Sequence, residues 1–418
     1  MLRLALLLVI FCALGAPALA ADIPDVSDAD LEQSLALAGA NRAELSQALF
    51  ACQQKPYTLQ AMRFTIAGLP LADLGVAKGA ALLENVELAM EARGEFPYST
   101  GGAGYDDATW AHYVLPPRIS QEPLSPWRSY LFGELKEVVR DCKTLEAATV
   151  KVNEWCGARV RFQQTQTRDQ GPLVTLRSGY GRCEEEVIIF VSACRAVGIP
   201  ARQAYCPYWA IMDNNHAWAE VLGSDGRWHF TGACEPRPTL DDAWFGDAVK
   251  QAPLIVSVCY GGPGATGLSG GALTVNELGE EVLSMKSAPG ARYCLINNTA
   301  SYRPTGMLTV EGPASSTAEP QFLTLSVFNF GALRQIAKLE FSPGGRAAVS
   351  LGAGTYMLSV GSAGSQSRWD APGGSAPAAA GGKPEVALAT VRTNVETRLD
   401  IREQGAVPGS FILEYPRD

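Results

Sequence analysis

"GRCEEEVIIFVSACRAVGIPAR", residues 181 to 202, is the stretch whose reading decides the fold. Val187, Ile188, Val191, Cys194 and Val197 recur at intervals of three and four, the apolar stripe of a helix. Gly198 and Pro200 then supply its stop. Cys183 therefore stands at the helix start, where unpaired backbone N–H groups and the helix dipole favour an anion, lowering a thiol pKa or holding an oxyanion. Glu184, Glu185 and Glu186 also suit a helix start. At about 100° per residue Glu184 is expected to point away from Cys183, leaving a partner imidazole to dominate the thiol.

That imidazole has to come from His112, His216 or His229. After the helix, Ala201 to Cys206 ("ARQAYC") reads as a strand and "PYWAIMDNN" as a loop. "HAWAEVLGSDGRWHFTGACEP" then reads as a hairpin closed around Ser224-Asp225-Gly226. His216 opens its first strand, alternating with Trp218, Glu220 and Leu222. The competing reading of Cys183 is a half-cystine. Of ten cysteines, Cys12 falls in the leader described below, and setting Cys183 aside leaves an even number for pairing. Tyr180, Trp209 and Trp218 are expected to line a substrate groove.

The helix-start cysteine, the "GIPAR" exit into a strand, "NHAWAEV", "DGRWHF" and an acidic residue before proline together resemble the transglutaminase-like superfamily in its bacterial exported branch, over residues 136–262. The flanking "YVLPPRISQEPLSPWRSYL" and "GACEPRPTLDDAWF" are similar to that branch as well. The resemblance implies a papain-like α+β core whose cysteine, histidine and acid follow in chain order, with Cys183 as nucleophile and His216 as general base. The family pattern has aspartate before proline four residues after the strand tryptophan. That position is Gly232 here, and Glu235-Pro236 follows three residues later, so Glu235 takes the orienting role. If Gly223 pairs with Trp228 across a four-residue loop, His216 lies opposite Glu235, and a five-residue loop moves the pairing by one. Asp241, Asp242 or a dyad without a carboxylate are the alternatives.

The chemistry so implied is acyl transfer on an amide bond through a thioester, with no metal and no organic cofactor. Hydrolysis, as by a peptidase or amidase acting on a peptide or protein of the cell envelope, is expected for this branch. Amine transfer by a protein cross-linking transglutaminase is the alternative within the chemistry. A binding or scaffold protein with a decayed triad, recognising a surface polymer or protein, is the alternative outside it.

Residues 1–20, "MLRLALLLVIFCALGAPALA", read as a secretory signal: one Arg3, a short apolar core and Ala-Leu-Ala before the cut. No later run reaches the roughly twenty apolar residues of a membrane span, so an exported chain, periplasmic or extracellular, is expected. The sequence carries 34 Lys and Arg against 43 Asp and Glu, a net charge of −9, and no basic tract suited to nucleic acid. Residues 21–135 read as a helical region, with Leu82, Leu83, Val86 and Met90 in one stripe. Residues 263–418 read as a β-sandwich, Ig-like or carboxypeptidase-regulatory-like, with a flexible Gly/Ala/Pro-rich loop near 362–384 and a late strand over 391–401. "GLSGG", 267–271, fits a serine-hydrolase pattern, but no helix is expected after it and no histidine follows it. A zinc site among Cys183, Cys194, Cys206, His216 and Cys234 lacks any C-x-x-C spacing.

Overall fold

The structure, a computed structural model, describes residues 23–99, 104–165, 169–260, 273–276, 278–283, 293–316, 320–362 and 385–401. The expected signal at 1–20, the "GLSGG" run and the Gly/Ala/Pro-rich stretch 374–383 lie outside the described residues. The chain is an α+β protein whose helices come first, a mixed core next and a two-sheet domain last.

Six helices open it: α1 (Asp28–Leu37), α2 (Arg42–Cys52), α3 (Pro56–Ala67), α4 (Leu71–Leu74), α5 (Gly79–Glu95) and α6 (Asp107–Tyr113). Ser27 caps α1 by accepting from the Asp30 backbone N–H. Leu82, Val86 and Ala89 of α5 are buried with Leu45, Ala48 and Met62 in a cluster belonging to this region. The far end of α5 then meets the core. Gly198 has φ +75°, and a Cβ there would come within 3.0 Å of the Ala92 carbonyl oxygen, so glycine is required twice over.

The core adds α7 (Arg128–Val139), α8 (Leu145–Gly157), β1 (Arg161–Phe162), α9 (Pro172–Ser178), β2 (Tyr180–Gly181) and α10 (Cys183–Ala196). β3 (Ala201–Cys206), β4 (His216–Leu222), β5 (Trp228–Thr231), β6 (Val256–Tyr260), β7 (Thr274–Val275), β8 (Glu281–Leu283) and β9 (Tyr293–Asn297) make one antiparallel sheet in the order β5-β4-β3-β6-β9-β8-β7. Residues Glu185 to Ala196 of α10 are all buried. The helix packs on β3 and β4 and is covered by α7, α8 and α9, so only its first two residues, Cys183 and Glu184, reach the surface of the core. The sequence reading began the sandwich at 263. The core sheet instead takes three further strands, β7 to β9, before the chain leaves it.

Two details of the expected strands change. β4 and β5 pair as Leu222↔Trp228 and Val221↔His229, and the Gly223 backbone N–H donates to the Arg227 carbonyl at 2.8 Å. The loop thus has five residues, and pairing stops at Thr231. The late strand over 391–401 is two strands, β15 (Glu385–Val391) and β16 (Glu396–Asp400), separated by a turn with Asn394 at φ +57°.

With β10 (Thr305–Glu311), β11 (Gln321–Asn329), β12 (Ala332–Glu340), β13 (Arg346–Gly352) and β14 (Gly354–Ser362), these form two sheets, β13-β10-β16 and β12-β11-β14-β15. Leu308, Val310 and Val349 of one and Leu323, Leu325 and Leu358 of the other are buried in a shared apolar cluster, as a sandwich requires. No described helix is long and apolar enough to cross a membrane.

Candidate active site

The three consecutive glutamates after Cys183 go three different ways. Glu185 turns back to close the cap of α10: its Oε2 accepts from the Arg182 backbone N–H at 2.9 Å and from Thr165 Oγ1 at 3.0 Å, and its Oε1 accepts from the Gln170 backbone N–H at 3.2 Å. It is a capping box built with arginine as the N-cap residue. Gly181 makes room for it, since a Cβ there would lie 2.7 Å from the Glu185 Cβ. Glu186, one turn below Cys183, faces a small cavity. Glu184 reaches sideways to the thiol.

That last contact corrects the sequence reading. The Cys183 thiol donates to Glu184 Oε2 at 3.1 Å, and Arg182 Nε lies 3.3 Å from the same oxygen. Arg182 is also paired with Asp169. The rise of 100° per residue fixes only the Cα–Cβ direction; a long glutamate side chain bends back across it. Burial, and then the Glu184 charge, raise the Cys183 thiol above its ordinary range, while backbone N–H groups of Ala217 and Glu184 pull the other way. The expected lowering by the helix start is therefore outweighed, and the resting sulfur is a neutral thiol.

His216 enters the same cavity from the first position of β4. Cys183, Glu186, His216, Ala217, Gly232, Ala233 and Glu235 line it. The imidazole packs against the rings of Phe245 and Trp244, at 4.7 and 4.8 Å between centroids, and those two rings also meet edge to face. Its Nε2 is buried without a hydrogen-bond partner. Burial lowers its pKa to about 4, with Glu184 opposing, so it is a neutral ring with a free acceptor or donor nitrogen at neutral pH. Cys183 and His216 thus face one space as a neutral pair.

Glu235 reaches the cavity through a tight turn rather than through strand pairing. Its backbone N–H donates to the Gly232 carbonyl at 3.2 Å, and Cys234 before it has φ +59°, a left-handed conformation costly for a residue with a Cβ. A Cβ on Gly232 would lie 2.4 Å from Glu235 Oε2. The Glu235 carboxylate therefore fills the place toward which a side chain at 232 would project, which gives the glycine there a physical reason. The carboxylate accepts from Trp244 Nε1 at 3.0 Å, and burial raises its pKa. Beside it, Glu186 is pushed up to about 8 by burial and then by the Glu235 and Glu185 charges. The alternative acids are elsewhere: Asp241 is held by His229 Nδ1 at 2.6 Å and the Phe230 backbone N–H at 2.9 Å, and Asp242 is exposed.

Of the expected groove residues, Tyr180 is exposed on β2 near the helix start. Trp209 and Trp218 are not groove residues. They are 1% and 0% exposed, stack at 6.3 Å between centroids, and Trp218 Nε1 donates to the Tyr302 hydroxyl at 2.8 Å. They belong to the core under the site: Phe245 and Tyr302 cover Trp218, and Trp209, from the loop after β3, packs into the same cluster. Sequence reasoning passed over Trp244, which is 57% exposed and touches both His216 and Glu235. An indole in the loop after "GACEP" was the only available signal.

Residues 135–231 match the family model for the transglutaminase-like superfamily. That segment is transglutaminase-like. It contains Cys183 and His216 and ends before Glu235. No curated protein matches this chain. Among solved structures, a "putative cysteine protease" from Cytophaga hutchinsonii is 19% identical, over 27% of this chain and 40% of that one, with a TM-score of 0.23. Red sea bream transglutaminase is 10% identical, over 64% of this chain and 58% of its own, with a TM-score of 0.22. This chain thus spans less than two thirds of either, and likenesses of that size bear on neither site nor substrate.

Proposed function

We propose that this chain is an exported thiol-dependent acyl-transfer enzyme that hydrolyses amide bonds of peptides or proteins. The observation that carries this reading is the convergence of Cys183, from a helix start, and His216, from a neighbouring strand, on one cavity that also holds a carboxylate. In this mechanism His216 takes the Cys183 proton and the sulfur adds to the amide carbonyl. The oxyanion is met by backbone N–H groups at the start of α10, and the imidazolium protonates the departing amine as the C–N bond breaks. Water, deprotonated by His216, then opens the thioester and frees the acid and the thiol. Glu235 orients the ring through Trp244, whose indole it holds against the imidazole.

Because the resting pair is neutral, His216 works as a general base rather than as half of a preformed ion pair. The test is mass spectrometry and amine release on a library of peptide amides and peptidoglycan-derived peptides. Wild-type protein should turn over members of the library and accumulate mass on Cys183. Cys183→Ala should abolish both, and His216→Ala should slow turnover by about a thousandfold or more. Equal rates for wild type and Cys183→Ala would overturn the reading. The Cys183–Glu184 hydrogen bond also suits a decayed, ligand-holding relative, and that is the outcome such equality would select.

A further inference from the structure

The turn that carries Glu235 is held from behind by α8. Asn153 Nδ2 donates to Thr231 Oγ1 at 3.2 Å and to the Gly232 carbonyl at 2.8 Å. One turn on, Gly157 lies so close that a Cβ there would be 2.7 Å from the Cys234 carbonyl oxygen and from Pro236 Cδ. Between these contacts, on the same side of α8, Cys156 is buried in the same cluster as Cys234, whose sulfur otherwise meets the Glu186 carbonyl, at 3.7 Å. Both are buried thiols. Cys234 is also the residue in the left-handed conformation, so the turn holds a strained residue at the point where a covalent tie is available.

We propose that Cys156 and Cys234 are a disulfide site, and that the bond pins the Glu235 turn to α8. The part of this concerning Glu235 rests on the proposed function; the bond itself does not. The oxidant is an external disulfide. One of the two cysteine thiolates attacks it and releases one thiol, and the other cysteine then displaces the second. Two protein S–H bonds and one external S–S bond thus become one protein S–S bond and two external thiols. Burial raises the Cys234 thiol far above its ordinary range, so exchange is slow once the chain has folded, and the bond forms during folding. Cys194 also lies near Cys156, but it is fixed in the middle of α10 and has no strained turn to secure. Cys183 is left free.

The test refolds the full chain from denaturant in a glutathione redox buffer, alkylates remaining thiols, and maps peptides by mass spectrometry. A linked Cys156–Cys234 pair with Cys183 alkylated is expected. Both cysteines alkylated singly, or Cys156 linked to Cys194, overturns the site. Hydrogen exchange of the segment 231–236 then reads the pinning without using activity. Its amides should exchange about tenfold or more slowly in the oxidised than in the dithiothreitol-reduced protein. A linked pair with unchanged exchange overturns the pinning. Absence of amide hydrolysis in either redox state would instead count against the proposed enzyme and leave the map intact.

Discussion

Glu184, Glu185 and Glu186 are chemically alike, and their distinct environments give them distinct work. Glu185 is buried as a cap, Glu186 carries its proton near neutrality, and Glu184 lies against the sulfur that would have to ionise and raises its pKa. A charge that close opposes thiolate formation, so removing it should help. Glu184→Gln is expected to speed alkylation of Cys183 by iodoacetamide at pH 7 by about tenfold, the effect of one pKa unit on the thiolate fraction. The wild-type rate should still be climbing at pH 9. On the acid side, His216 must be unprotonated to accept. The low-pH limb of kcat/KM therefore belongs near pH 4, where burial has put this ring, and not near 6.5. A limb at 6.5 would mean that the ring is hydrated in the free enzyme.

At the scale of elements, the turn 232–236 is the departure from the family pattern, and it is testable as a unit. Gly232→Asp in the wild-type background should clash with the Glu235 carboxylate and lower activity, and Glu235→Ala should lower it by removing the acid. The double variant Gly232→Asp/Glu235→Ala returns a carboxylate to the vacated space, and it should recover about a tenth or more of the wild-type rate. Rates in the double variant equal to the product of the single losses would show that the two positions do not share one role. The sequence made α10, β3 and the β4–β5 hairpin legible because each is a local pattern: a stripe of period 3.6 closed by Gly198, a short run after Pro200, and an alternating strand from His216 with a turn at Ser224-Asp225-Gly226. The loop length was not legible, because four- and five-residue closures satisfy the same alternation and differ only in the Gly223–Arg227 hydrogen bond. Nor was the path of Glu184, which depends on its outer torsions and on Arg182. Strands β7 to β9 escaped notice because short strands inside a glycine-rich stretch look the same whichever sheet receives them.

At the scale of the whole molecule, the tip of the β11–β12 hairpin of the sandwich meets the loop that precedes His216. Asn329 at the end of β11 donates from Nδ2 to the carbonyls of Trp209 at 2.8 Å and Met212 at 2.7 Å, and the Phe330 backbone N–H donates to Asp213 Oδ1 at 2.7 Å. These bonds fix the loop 207–215 that leads directly into His216. Asn329→Ala leaves the buried Trp209 carbonyl and the half-buried Met212 carbonyl without this donor, and it should cost about 1–3 kcal/mol in denaturant unfolding. It should also reduce kcat by slackening the approach to His216, while a substitution at exposed Phe328 does neither. An unchanged kcat in Asn329→Ala would confine the sandwich to a role away from the chemistry. Trp209 and Trp218 were read as groove residues because a tryptophan near a catalytic strand fits either role on sequence; the neighbours that enclose Trp218, Phe245 and Tyr302, come from other parts of the chain.

Because α10 is enclosed from Glu185 to Ala196, the cleft has a floor that tolerates almost no redesign and walls that are made of loops. An attempt to alter which substrate enters belongs at the exposed residues 237–239, clear of Trp209, Trp244 and Phe245. There, insertion and randomisation change shape without opening a void beneath the nucleophile, whereas a library placed along α10 would return mostly collapsed or unfolded chains.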